Sequence, residues 1–118
     1  MDVISTQDLF DSFVAKFSIG SSSTTRFTAA FLGAYNDVLM DLYNWGTIDE
    51  PSLLTSLSTD SALTVQYLPI IKVGLRHFLQ QEGEWVKGEE RDQYSALNWR
   101  RAKGDAADLL TRVNPWGE

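Results

Sequence analysis

The feature that most constrains this chain is a 22-residue amphipathic pattern at residues 24–45, TTRFTAAFLGAYNDVLMDLYNW. Its apolar residues recur every three or four positions, which is the spacing of one helix face. They are Phe27, Ala30, Phe31, Ala34, Val38, Leu39 and Leu42. Asp37 and Asp41 lie off that face, so the pattern predicts a long helix that buries one side. Gly33 costs about 1 kcal/mol relative to alanine in a helix interior, and we expect it to mark a close approach to another element.

Two further segments also predict helices. In residues 5–17, Ser5 or Thr6 is expected to cap a short helix. Five apolar residues then follow at helical spacing: Leu9, Phe10, Phe13, Val14 and Phe17. Residues 66–81 repeat the pattern with Tyr67, Ile71, Leu75, Phe78 and Leu79 on one face. Proline is tolerated only in the first turn of a helix, so Pro69 predicts that this helix starts near Gln66.

The last helix is predicted over residues 89–113, where the apolar pattern is weak and Gly104 interrupts it. A weak apolar stripe favours a helix that rests on a partner outside its own domain. The four segments together predict an all-α fold. We expect a small helical bundle with three main helices, a short N-terminal helix and an extended C-terminal arm. Residues 1–111 form the predicted domain and residues 112–118 the predicted docking tail.

The connecting segment after the long helix carries three local expectations. Gly46 is a plausible C-cap, because glycine adopts the left-handed conformation that ends many helices. Pro51 is expected to open a single helical turn through residues 53–57. Leu63 and Val65 are expected to be extended.

Composition limits the classes of function that remain. The chain has 118 residues, which is the size of one domain with a real core, and no run of apolar residues long enough for a membrane helix. Its start, MDVISTQDLF, lacks the basic region of a secretory signal. The absence of cysteine excludes disulfides and thiolate chemistry. A net charge of −6, carried by the N-terminal half, disfavours binding to a nucleic-acid backbone.

No set of residues predicts a catalytic or metal site. His77 is the sole histidine and lies between apolar neighbours, which is typical of a structural residue with its hydrogen bonds satisfied. Glu89 and Asp92 match one of the two acidic pairs that hold magnesium in helical pyrophosphohydrolases. The second pair is missing, and magnesium needs several oxygen ligands. We therefore predict no enzyme activity, no metal and no cofactor.

The last helix also carries a group of basic residues interleaved with acids. The bases are Arg91, Arg100, Arg101 and Lys103, with Tyr94 and Trp99 between them. Basic and aromatic residues together can indicate nucleic-acid binding. Because acids alternate with these bases, helical ion pairs on a solvated or protein-binding face are favoured instead.

The chain contains four tryptophans: Trp45, Trp85, Trp99 and Trp116. Tryptophan is enriched at binding hot spots. For the first three, packing at the edge of the core is favoured over an interface. Trp116 lies in the terminal sequence RVNPWGE, where Pro115 ends the helix and no core surrounds the indole. This tail is therefore predicted to dock on another molecule.

The order of these segments matches a known arrangement. The long helix contains LGAYNDVL, and the last helix contains YSALNW. Between them an acidic turn leads into Leu63, Val65, Tyr67, Ile71 and Leu75. Over about residues 24–112 the chain resembles the small head-to-tail adaptor (connector, head-completion) proteins of tailed bacteriophages. The resemblance is one of helices and turns and includes no catalytic signature.

The resemblance implies a non-enzymatic structural protein of the virion neck. Such adaptors form a ring, usually a dodecamer, between the portal protein and the stopper or tail protein. DNA passes through the lumen without specific binding. By this resemblance the portal contact is expected at Trp99, Arg100, Arg101, Arg112 and Trp116. Asp37 and Asp41 are expected to line the channel.

Two other classes of function remain open from the sequence. The first is a small acidic helical module that inhibits a basic nucleic-acid enzyme by mimicking the charge of its substrate. The second is a helical metal-dependent hydrolase that uses Glu89. The mass of the protein with and without a portal ring separates the adaptor from both.

Overall fold

A computed structural model describes residues 2–81, 84–86 and 93–113, with the side chains of residues 110–113 outside the described set. Its helices are α1 (Thr6–Lys16), α2 (Thr24–Trp45), α3 (Leu68–Gln81) and α4 (Ser95–Val113). Short 3-10 turns, Ser21–Ser23 and Val65–Tyr67, precede α2 and α3. The predicted all-α class is confirmed. Within the described ranges, no helix is long and apolar enough to cross a membrane.

Helix α1 begins and packs as its sequence predicts. The Ser5 hydroxyl accepts a hydrogen bond from the backbone N–H of Asp8 at 3.3 Å, which confirms Ser5 as the N-cap. Its buried face brings Phe10 against α2, with ring centroids 5.6 Å from Phe27 and 5.3 Å from Phe31. These aromatic contacts bury α1 against the N-terminal half of α2.

Helix α2 is the centre of the bundle. The predicted apolar face is buried, and Phe27, Phe31, Val38 and Leu42 are each 0% exposed. The helix ends at Gly46, whose φ of 84° is left-handed and whose N–H donates to the carbonyls of the last turn. The predicted glycine C-cap is therefore confirmed.

The predicted helical turn after Pro51 is wrong. Leu54 is held instead by Asn36 on α2, whose Nδ2 donates to the Leu54 carbonyl at 2.8 Å and whose Oδ1 accepts from the Leu54 N–H at 2.7 Å. This pairing uses both backbone groups that a helical turn would need. It also places the buried Leu54 side chain in the core as a single anchor.

The extended conformation expected at Leu63 and Val65 is wrong for both residues, because Leu63 lies in a bend and the extended residue is Thr64 between them. Val3 and Thr64 form an isolated antiparallel bridge, and the Ile4 N–H donates to the Leu63 carbonyl at 2.9 Å. Val65 donates to the Asp2 carbonyl at 2.9 Å but already begins the 3-10 turn that leads into α3. Pro69 then lies in the first turn of α3, as predicted.

The close approach between helices occurs at Gly74 rather than at Gly33. A Cβ atom at Gly74 would lie 2.7 Å from Val38 Cγ2 and 2.8 Å from Trp99 Cζ3. A Cβ atom at Gly33 would meet nothing within 4 Å, so the expectation for Gly33 is wrong. Helices α2, α3 and α4 therefore meet at Gly74. Neither Gly33 nor Gly104 interrupts its helix.

The two glycines should respond in opposite ways to alanine. Gly33→Ala should raise the free energy of unfolding by up to about 1 kcal/mol, because it adds helix propensity in open space. Gly74→Ala should lower it by roughly 1–3 kcal/mol, because the new methyl group displaces a rigid valine and a rigid indole. Urea denaturation followed by circular dichroism measures both. A Gly74→Ala protein as stable as the wild type would contradict the three-helix contact.

Candidate functional site

Helix α4 has one buried face and one exposed face. The buried face consists of Trp99, Ala102 and Ala106 and packs on α3 and α2. The weakly patterned helix thus finds its packing partner within this domain, contrary to expectation. The outer α4 face, which we define as Leu97, Arg100 and Arg101 of α4 together with Tyr94 immediately before the helix, is exposed to solvent. Tyr94 is 59% exposed and Leu97 is 41% exposed.

Trp99 is not a surface residue, which corrects its assignment as a portal contact. Its side chain is 3% exposed and its Nε1–H donates to Asp41 Oδ2 at 2.6 Å. Asp41 was expected to face a channel, but this oxygen also accepts from Lys103 Nζ at 3.1 Å. Residues expected on two separate surfaces therefore meet in one internal contact between α2 and α4.

Lys103 is held between two indoles as well as against a carboxylate. Its Nζ atom lies 4.7 Å from the ring centroid of Trp45 and 5.7 Å from that of Trp99. Its side chain is 14% exposed, so the ammonium depends on Asp41 and on the indole faces to replace water. We call Asp41, Trp45, Trp99 and Lys103 the Asp41 cluster. It fixes α4 to the C-terminal end of α2 and so sets the direction of the outer α4 face.

The Asp41 cluster should show strong pairwise coupling. A double-mutant cycle of Asp41→Asn and Lys103→Met should give an interaction energy of roughly 1–3 kcal/mol, because the pair is charged and half-buried. The matched control is the ion pair between Arg26 and Glu84, whose side chains are 65% and 43% exposed. That cycle, with Arg26→Met and Glu84→Gln, should give less than about 1 kcal/mol. Equal coupling in the two cycles, measured by urea unfolding, would argue against a structural role for the cluster.

The other residues expected at the portal or channel fall into three groups. Arg100 and Arg101 are exposed on the outer α4 face, and Asp37 is exposed on α2. Arg112 belongs to the last turn of α4, and its side chain lies outside the described set. Trp116 lies outside the described residues. The predicted boundary between residues 111 and 112 falls inside α4, which continues to Val113.

His77 is a structural residue, as the sequence predicted. The side chain is 8% exposed, and both ring nitrogens have partners. Nδ1 lies 3.0 Å from the Ser95 hydroxyl, and Nε2 lies 3.2 Å from Gln81 Nε2. Burial lowers the pKa of His77; the nearby Asp41 carboxylate opposes this effect and Lys103 adds to it. The neutral imidazole therefore links α3 to the first turn of α4.

The lowered pKa of His77 makes stability depend on pH below neutrality. Between the folded pKa and the ordinary value of 6.5, the unfolded chain binds a proton that the folded chain does not. The free energy of unfolding should therefore fall as pH drops below about 6.5, with a slope of at most ~1.4 kcal/mol per pH unit. Urea unfolding between pH 7.5 and 5.5 measures it. His77→Gln should flatten the profile, and an unchanged slope in that variant would exclude His77 as the cause.

An open groove lies beside the C-terminal end of α2 and encloses about 770 Å³. Apolar residues including Leu39, Leu54 and Tyr67 line it, and the carboxylates Asp49, Glu50 and Asp60 lie among them. No lysine or arginine occurs among its described lining residues. The sequence signal for this groove is a set of three carboxylates within twelve positions, in the segments TIDEPS and TDS.

Within the described part of the chain, no three histidine, aspartate or glutamate side chains are placed to hold a metal ion. Glu89 and Asp92, which match half of a magnesium motif, lie outside it. Comparison with protein-family models, curated proteins and solved structures gives no match.

Proposed function

We propose that this chain is a structural head-to-tail adaptor of a tailed-phage virion, and that the outer α4 face binds the portal protein. One observation carries the proposal: α4 exposes Leu97 and two arginines, with Tyr94 exposed immediately before its first residue, while the opposite face of α4 is fixed to α2 and α3. A rigid helix with an aromatic, an aliphatic and two guanidinium groups outward has the composition of a protein-binding hot spot.

The exposed apolar groups supply a driving force for docking. Covering the tyrosine and leucine side chains removes apolar surface from water at about 25 cal/mol per Å². Arg100 and Arg101 add charge-assisted hydrogen bonds to carboxylates of a partner. Because the Asp41 cluster already fixes α4, docking orders few additional groups, which preserves more of that free energy.

The sequence resemblance supplies the phage setting of the proposal. In it, Arg112 and Trp116 extend the outer α4 face toward the portal as the docking tail. The subunits form a ring, usually a dodecamer, that receives the stopper or tail protein on its other side. Asp37 remains the candidate for the channel lining, where its charge keeps passing DNA from adhering. The protein acts in the virion neck and catalyses no reaction.

Portal binding tests the outer α4 face with a matched pair of variants. Leu97→Ala should weaken binding to the cognate portal ring by about tenfold, because it removes apolar contact area at the interface. Leu53→Ala is the control, since Leu53 is 50% exposed but lines the groove and does not belong to the outer α4 face. It should bind as the wild type does. Surface plasmon resonance on immobilised portal rings measures both variants, and equal losses would overturn the assignment of this face.

The tail is tested in the same assay. Trp116→Ala should leave the thermal unfolding midpoint unchanged and weaken portal binding, and truncation after Thr111 should weaken it further. A truncated chain that binds portal rings with unchanged affinity would show that the tail assignment is wrong. The Leu97→Ala variant tests the outer α4 face separately.

A second candidate function is an acidic module that inhibits a basic nucleic-acid enzyme. The acidic groove favours it, because three carboxylates converge there with no base among the described lining residues. The two functions predict different masses in size-exclusion chromatography. An adaptor co-elutes with a portal ring, whereas an inhibitor stays a monomer or dimer in its presence.

A further inference from the structure

Residues of three helices, including three bases from α1 and α3, line a pocket of about 280 Å³. Lys16 comes from the end of α1, Lys72 and Arg76 from α3, and Ser95 and Asn98 from the first turn of α4. No carboxylate occurs among its described lining residues. Three of the ten basic residues of this acidic protein therefore line one small cavity.

The electrostatics of this pocket favour a bound anion. Lys72 and Arg76 are four positions apart on α3 and therefore project from the same helix face. Partial burial lowers the pKa of Lys16, and the charges of Arg76 and Lys72 lower it further. The two cations of α3 therefore repel the charged form of Lys16, and an anion bound among the three side chains would offset that repulsion.

Ser95 supplies an uncharged donor. Gln81 Nε2 can only donate, so the Nε2 of His77 accepts its hydrogen and the proton of the neutral ring lies on Nδ1. That Nδ1–H donates to the Ser95 hydroxyl at 3.0 Å, and Gln80 Nε2 donates to the same oxygen at 3.4 Å. Ser95 accepts both bonds, which leaves its own O–H to donate to a group in the pocket that it lines.

We propose that this pocket binds a phosphate group, held by Lys16, Lys72 and Arg76 and by the Ser95 hydroxyl. A single carboxylate has two oxygens and one charge, whereas a phosphate dianion has charge and acceptors for donors that converge from three helices. The cavity has room for a small anion. The net charge of −6 opposes a long polyanion, so the ligand is inorganic phosphate or the terminal phosphate of a nucleotide.

Titration with inorganic phosphate, followed by ¹⁵N–¹H NMR of the full chain, tests the proposal. Chemical-shift changes should saturate and should centre on the last turn of α1, the middle of α3 and the first turn of α4. The double variant Lys16→Gln/Lys72→Gln should bind at least about tenfold more weakly, since each lysine contributes a charge-assisted hydrogen bond. Both lysines are exposed, so the fold should remain intact.

The matched control is Arg100→Gln/Arg101→Gln, which removes the same total charge from the outer α4 face. It should bind phosphate as the wild type does. Equal weakening of phosphate binding in the two double variants would show that the loss comes from net charge alone, and it would overturn the proposal. Shifts that fail to saturate, or that persist in the lysine variant, would do the same.

Three further ligands identify the source of the phosphate. A nucleoside 5′-monophosphate that binds more tightly than inorganic phosphate would assign the pocket to nucleotides, and equal affinity would assign it to free phosphate. Acetate at matched ionic strength should cause no saturating shifts. Acetate binding as strong as that of phosphate would make the pocket a carboxylate site and contradict the proposal. Duplex DNA that binds the pocket more tightly than both inorganic phosphate and the nucleoside monophosphate would also contradict the proposal.

Discussion

The contact at Gly74 is the constraint on which the rest of this structure depends. Only the missing side chain allows Val38 of α2 and the indole of Trp99 to approach the backbone of α3 together. Once the indole lies there, its N–H reaches Asp41, and Asp41 in turn holds Lys103. The position of α4, and hence the direction of its exposed face, depends on the absence of a Cβ atom at Gly74 of α3. A larger residue would move the helix rather than a single side chain, because both neighbours are rigid.

The sequence was sufficient for elements whose cause is local. Periodicity, an N-cap serine, a left-handed glycine and a proline in a first turn correctly predicted the all-α class and most of the helix ends. The start of the last helix is an exception, because that helix begins at Ser95 and not at residue 89. The sequence was insufficient where the cause is a contact across the chain. Asn36 replaces the expected turn at Leu54 from 18 positions away, and Trp99 meets Asp41 from 58 positions away. Gly33 and Gly74 look alike in a helical pattern, and only the packing of helices distinguishes open space from a crowded crossing.

The same limit applies to charge. A net charge of −6 correctly indicates an acidic surface but conceals how the charges are sorted. Helix α1 connects the two extremes: its first N–H donates to Asp60 at the acidic groove, and its last residue, Lys16, lies at the basic pocket. Those groups are dispersed along the chain, so composition averages them away. The spacing of Tyr94, Leu97 and Arg101 indicates one exposed side of the last helix, whereas the enrichment of tryptophan at binding hot spots favoured Trp99, which is buried.

The pairing of the N-terminal segment with the entry to α3 has a consequence for how the chain folds. The Thr6 N–H and its acceptor Asp60 are 54 positions apart, and the bridge between Val3 and Thr64 spans a similar length. Closing such a loop costs conformational entropy that grows with about (3/2)RT ln n, and little is gained until α3 is in place. By contrast, α2, α3 and α4 follow one another and pack as neighbours. Helix α1 also packs on its sequence neighbour α2, whereas residues 2–5 pair with the distant entry to α3. We therefore expect residues 2–5 to join late in folding and to open first in native-state hydrogen exchange.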